Sequence, residues 1–337
     1  MQMTLVDPAL NLTRDADLRR RATKFIPGGM WDERQVFCAH MPSEPEEGLS
    51  VHGEMIKERQ PAAHIHDPGE LQAIAQELRR QVIRMIAPTG QGYVQQGLGA
   101  ADLFAALYFS ELRLDPADPS WPDRDRILLS TAQNTAIFYA TLAARGCIPE
   151  ALLTTYTQDG SPLEINASER LGPAIEATCG SLGQGMSVGV GMALSAKRRG
   201  RGYRVYVMLG DGEMQEGQVW EAAMAAGSHR LSNFCLILDY NKMQVAGHID
   251  TVVYMNPIAD KWASFGFRVD AIDGNDMQAI SAALERARRH ETGPTCIIAE
   301  TLVGKGSASL EGVLGHTMLL PPELARRALD ELSGEKS

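Results

Sequence analysis

Residues 203–242 read YRVYVMLGDGEMQEGQVWEAAMAAGSHRLSNFCLILDYNK. Two short apolar runs, Tyr203–Leu209 and Phe234–Tyr240, have the length of buried strands, and the segment Glu216–Ala226 between them has the composition of a helix. Strand, helix and strand in this order predict a parallel crossover, since the chain must return along the sheet before its next strand runs the same way. Gly210-Asp211-Gly212 follows the first strand directly, and Asn241 follows the second, with 28 residues between it and Gly212. Asp211 and Asn241 are therefore expected on one edge of the sheet, at the carboxyl ends of neighbouring strands, where open α/β folds bind ligands.

The residue types at that edge suit a hard cation. Mg²⁺ takes oxygen ligands in an octahedron and commonly shares itself between a few protein oxygens and a diphosphate. Asp211 and Asn241 supply two such oxygens. The flanking glycines allow backbone N–H groups close to phosphate, and a helix starting near Glu216 adds favourable dipole potential. Standing alone, a GDG triplet would read as a tight turn between strand and helix.

Working outward, the same alternation continues on both sides. Asp67-Pro68-Gly69-Glu70 has the form of a helix start, with Asp67 as cap, and Leu71, Ile74, Leu78, Val82 and Met85 then recur on one face. Helices are also predicted over Ala100–Glu111 and Gln133–Arg145. The glycine-rich turn Gly180–Gly185 opens another, running to about Lys197. Phe267–Ile272 and Thr295–Glu300 read as strands around a helix Asp276–His290. The fold class is α/β, a mainly parallel sheet with helices on both faces. Residues 67–337 form that domain, and 1–66, with turn-rich and Pro/Glu-rich segments, read as an irregular or partly helical extension.

Composition narrows the function. Hydrophobic residues make up 44% of the 337 and charged ones 22%, the balance of a globular protein with a sizeable core. The net charge of −10 provides no broad basic surface, so nucleic acid is not an expected partner. Five cysteines without a CxxC pair suggest neither a disulfide framework nor a zinc site, which fits a cytoplasmic protein. No apolar run reaches the length of a membrane span, and the N-terminus lacks a secretory h-region. His64 and His66 read as a solvated or locally hydrogen-bonded pair rather than metal ligands. Cys179 reads as a core residue, and Arg198, Arg199 and Arg201 as a charged helix end.

The full stretch GDGEMQEGQVWEAAMAAGSHRLSNFCLILDYNKMQVAG, 210–247, closely resembles the thiamin-diphosphate motif of transketolases, especially the amino-terminal subunits of split ones. The likeness extends from about Leu71 to the carboxyl end. It takes in LGAADLFAALYF from Leu98, EATCGSLGQGMSVGVGMALSAK from Glu176, KWASFGFRVDAIDGND from Lys261 and GKGSA at Gly304–Ala308. The resemblance implies the diphosphate-binding (PP-type) domain of the thiamin-diphosphate fold. It implies thiamin diphosphate and Mg²⁺ as cofactors, with the metal held by Asp211, Asn241 and the carbonyl of Met243. Gly212 would contact the diphosphate, and the turn with Gly180 and Leu182 would line the thiazolium region. Gly210, Glu213 and Asn241 fall among the cofactor-binding residues, Glu216 on a subunit-coupling path, and His316 at the reacting site. The family's pyrimidine-binding domain, with its activating glutamate, would come from a carboxy-terminal-type partner subunit, with α2β2 as the expected assembly.

Three positions depart from that family. Transketolases carry a histidine in an SGHPG segment, one in S-K/N-GH and one in LEGHP, where this chain has Tyr93 in GQGYVQQG, Gln133 in STAQNTA and Asn166 in LEINAS. The replacements keep hydrogen-bonding capacity and lose titration near neutral pH. Altered substrate recognition is expected, with a ketose donor in a specialised pathway. The alternatives are an α subunit of a 2-oxo-acid decarboxylating component serving a lipoyl-type carrier, and a non-catalytic regulatory subunit.

Overall fold

A computed structural model describes residues 64–312 and 319–334. Most of the expected extension, 1–63, lies outside the described residues.

Five strands form one all-parallel sheet: β1 (Arg126–Leu129), β2 (Val205–Gly210), β3 (Phe234–Tyr240), β6 (Arg268–Asp273) and β7 (Thr295–Glu300), in the order β1-β2-β3-β7-β6. Its faces are separated by the two-residue period of a strand. Val205, Val207 and Leu209 of β2 join Phe234, Leu236 and Leu238 of β3 on one side. Tyr206 and Met208 join Cys235 and Ile237 on the other. The first side is covered by α4 (Gln184–Arg198) and α5 (Gly217–Ser228). The second is covered by α1 (Pro68–Ile86), α2 (Val94–Ala106), α3 (Thr135–Ala144), α8 (Met277–Arg289) and α9 (Pro322–Ser333). A sheet buried on both faces needs continuous apolar strands, and β2 and β3 are buried almost throughout.

The predicted start of α1 holds: the Asp67 carboxylate accepts the backbone N–H of Glu70 at 2.8 Å, with Pro68 in the first turn. The helix expected over Ala100–Glu111 is corrected at both ends. It begins at Val94 and gives way at Leu107 to a π-helical turn reaching Glu111. Gly97 and Gly99 lie inside the helix, and the second serves close packing. A Cβ on Gly99 would come within 2.9 Å of the Leu302 carbonyl oxygen. Two elements are additional to the expectation, the edge strand β1 and the terminal helix α9. So is the hairpin of β4 (Met243–Gln244) and β5 (Gly247–His248), followed by the short α6 (Ile249–Val252) and α7 (Ile258–Ser264). No helix among the described residues is long and apolar enough to cross a membrane.

Candidate functional site

β2 and β3 pair in parallel with Gly210 opposite Asp239, so Asp211 and Asn241 leave adjacent strand ends on the same edge. Both line a cleft of about 190 Å³. Lys242 follows Asn241 in the left-handed region, with φ of 64°, unusual for a residue with a side chain. That turn folds the chain back so that the Lys242 N–H donates to Asp211 Oδ2. Gly212 N donates to Asp211 Oδ1 at 2.7 Å, and Met243 N donates to Asn241 Oδ1 at 2.9 Å. Both oxygen-bearing side chains are thereby held by backbone.

The electrostatics of this edge call for positive charge. Asp211 is 1% exposed, and burial, reinforced by the negative charge of Asp239, pushes its carboxyl up to about 8 against the N–H groups of Lys242 and Gly212. Asp239 is also driven upward by burial, opposed by donors on Thr301, Asn134 and Asn241. Thr301 Oγ1 and Asn134 Nδ2 both donate to it. Two desolvated carboxyls at one sheet edge, without a cationic side chain lining the cleft, fit a bound cation. One carboxylate and one amide oxygen are donors suited to a hard ion. Among the described residues no three His, Cys, Asp or Glu side chains converge on another metal position. The cleft also has a close floor, since a Cβ on Gly212 would lie 3.1 Å from that of Gln244.

Of the residues singled out in the sequence, Gly210, Gly212, Glu213, Glu216, Met243, Leu182 and Gln133 line the same cleft. Glu213 has a role that its position in the motif did not announce. Its carboxylate, nearly fully buried, turns into the protein and accepts from Gly183 N at 2.7 Å, Gly210 N at 3.1 Å and Ser130 Oγ. It ties the glycine turn before α4 to the end of β2. Burial still raises its carboxyl above the ordinary range, because desolvation exceeds what these donors return. Glu216 is exposed at the start of α5, after a single 3₁₀ turn.

Tyr93, Asn166 and Gly180 do not line the cleft. Tyr93 immediately precedes α2. Asn166 packs against Gly180, where a Cβ would fall 2.9 Å from the amide nitrogen. His316 lies outside the described residues. Of the minor signals, His64 Nε2 meets the Leu112 carbonyl at 3.2 Å and stands edge-on to His66. Cys179 is buried 3.6 Å from Thr135 Oγ1, with its thiol raised by burial and so less reactive. Arg201 pairs with Asp123 at the surface.

Sequence reasoning passed over Gln96, Thr131, Gln215, Gln244 and Val245, which complete the lining. A signal for Gln96 was present, since Gln95-Gln96 is a polar pair in a helix of otherwise mainly small and apolar residues. Thr131 Oγ1 donates to Gln133 Oε1 at 3.1 Å, which orients that amide.

Comparison with known proteins identifies the family. The family described as "Transketolase, thiamine diphosphate binding domain" matches residues 71–319. The 6-deoxy-6-sulfo-D-fructose transketolase subunit SqwG of Clostridium sp. (strain MSTE9) is 40% identical over 267 residues, covering 79% of this chain and 97% of that protein. One of the apulose-4-phosphate transketolase subunits of Actinobacillus succinogenes is 35% identical over 79% of this chain and 97% of its own length. Among solved structures, transketolase from Campylobacter jejuni superposes with a TM-score of 0.74 at 30% identity, over 80% of this chain. This chain spans 43% of that longer one.

Proposed function

The chain belongs to the transketolase family, matching its thiamine-diphosphate-binding part, and from that premise we propose that it is the diphosphate-binding subunit of a two-subunit ketol transferase. The enzyme moves a two-carbon ketol unit from a ketose donor in a specialised pathway. The observation that carries the reading is the convergence of Asp211 and Asn241 from adjacent parallel strand ends into one cleft.

Bound here, thiamine diphosphate supplies the stabilisation of negative charge at the reacting carbon, and the protein's tasks are to bind, orient and move protons. Asp211 and Asn241, with the Met243 carbonyl, would hold Mg²⁺, and the Gly212 backbone would approach the diphosphate. Glu213 fixes the turn that presents Leu182 to the cleft, so that an apolar wall stands where water would compete. Gln133 hydrogen-bonds without titrating, so proton transfer falls to groups such as His316 and to a carboxylate of the partner subunit. Glu216, exposed at the start of α5, lies on the path between subunits. The assembly is α2β2 and cytoplasmic.

Donor choice is set in part by Gln133, which lines the cleft where the family carries an imidazole, whereas Tyr93 and Asn166 stand outside that lining. Two relatives are named for a sulfofructose and for apulose 4-phosphate, and a chain with Gln133 in its cleft suits a similarly uncommon ketose. The test is a donor panel of xylulose 5-phosphate, fructose 6-phosphate, sulfofructose, hydroxypyruvate and pyruvate, offered to the chain reconstituted with its partner. Ketose turnover with weak use of xylulose 5-phosphate is expected. Preferred decarboxylation of pyruvate would overturn the reading.

A further inference from the structure

Four glutamines, Gln96, Gln133, Gln215 and Gln244, line the cleft, and no lysine or arginine does. A wall of neutral amides offers donors and acceptors together, which matches hydroxyl groups. Gln96 stands out among them. It sits in the first turn of α2, is 4% exposed, and its Oε1 has no hydrogen-bond partner among the described residues. Gln215 has a second buried, unpartnered amide atom, Nε2. Buried polar groups in folded proteins are almost always paired, and Gln96 and Gln215 are two residues of one cleft lining whose amides a ligand there would complete.

The location distinguishes which ligand. Asp211 and Asn241 come from the β2 and β3 ends, whereas Gln96 and Gln133 come from α2 and the turn after β1. Gln133 is already oriented by Thr131, which occupies its oxygen and leaves the amide NH₂ to donate. Gln96 offers the complementary acceptor. One hydroxyl accepts from the first and donates to the second, or two neighbouring hydroxyls divide the contacts. Reversal of the Gln96 amide preserves the match, since a hydroxyl serves either end.

We infer that Gln96 is a specificity-determining residue that hydrogen-bonds a hydroxyl of the ketose donor, with Gln133 as its counterpart in the same cleft. This rests on the proposed function. Gln96→Met keeps the length and removes both polar atoms, and Gln96→Asn keeps the amide but withdraws it from reach.

Each variant is assembled with the partner subunit. Thermal midpoint and the Kd for thiamine diphosphate in saturating Mg²⁺ are measured beside kcat and KM for a ketose donor and for hydroxypyruvate. In either variant that keeps the wild-type midpoint, ketose kcat/KM is expected to fall about tenfold or more, with cofactor Kd within about twofold. Hydroxypyruvate, which lacks hydroxyls beyond its carbonyl carbon, is expected to lose less. Ketose kcat/KM unchanged in both variants overturns the inference alone, as does a loss matched by the loss in cofactor affinity, which would make Gln96 a cofactor contact. Absence of ketose turnover by the wild-type complex overturns the functional reading and the inference with it.

Discussion

A buried carboxylate is tolerated only when something answers its charge, and Asp211 has two backbone N–H groups and an acidic neighbour, Asp239. A cation would complete the balance. Asp211→Ala and Asn241→Ala are therefore expected to weaken Mg²⁺-dependent binding of thiamine diphosphate by about 100-fold or more, beyond the loss typical of a group one shell out. The thermal midpoint of the metal-free Asp211→Ala chain should stay level or rise, because an uncompensated burial has gone. Calorimetry beside thermal unfolding checks both, and wild-type cofactor affinity in either variant would sink the assignment. These two residues were legible in the sequence because consecutive parallel strands bring their carboxyl ends together whatever else the fold does. The part played by Glu213 was not, since its partners Gly183 and Ser130 are 30 and 83 residues away and only the folded sheet brings them near.

Among the elements, those with a strong local pattern were legible and those defined by packing were not. β2 and β3 announce themselves as apolar runs of six and seven residues, whereas β1 is four residues long and takes its identity from pairing with β2. The start of α2 was misread because Gly97 and Gly99 resemble loop residues until the close approach of Leu302 explains the second. A similar approach holds α5. A Cβ on Gly227 would fall 1.7 Å from the Phe265 carbonyl oxygen, an overlap of backbone that no rotamer change relieves. Gly227→Ala is expected to cost about 3 kcal/mol, seen as a thermal midpoint lower by roughly 5–10 °C. An unchanged midpoint would show that the α5–α7 contact is not close-packed.

The π-helical turn after α2 gives a pH test on the opposite face from α5. Its last residue, Glu111, accepts from Tyr206 at 2.7 Å and pairs with Arg288 at 2.6 Å, joining α2, β2 and α8. Burial nevertheless raises its carboxyl above the ordinary 4.5, so desolvation outweighs both partners. The folded chain keeps this proton to higher pH than the unfolded one. Stability from this group is then greatest below pH 4.5 and declines as pH rises from there through the folded-state value. Glu111→Gln removes the titration, and its unfolding free energy should decline less than wild type over that range. Parallel profiles for the two proteins would remove the assignment.

For the whole molecule, the placing of exposed apolar surface argues for a partner. Of eight large apolar side chains exposed among the described residues, four lie within residues 245–254: Val245, Val252, Val253 and Tyr254. Val245 and Tyr254 are 80% and 70% exposed. This arm runs on from Met243 and Gln244, which line the cleft together with Val245. Surface of this kind marks contact with another protein. The chain covers 97% of a relative named as a subunit but 43% of a single-chain transketolase, and a partner carrying the remaining function fits the arm's position. The chain alone, given thiamine diphosphate, Mg²⁺ and ketose, is therefore expected to show no turnover, and addition of the partner should restore it. Val253→Asp with Tyr254→Asp places two charges on the arm away from the cleft lining, and association should weaken about tenfold or more while the isolated chain keeps its thermal midpoint. Turnover at saturating partner should then recover, which separates a docking defect from damage to Asp211 and Asn241. Ketose turnover by the isolated chain would defeat the two-subunit reading, and wild-type association of the double variant would move the docking surface elsewhere.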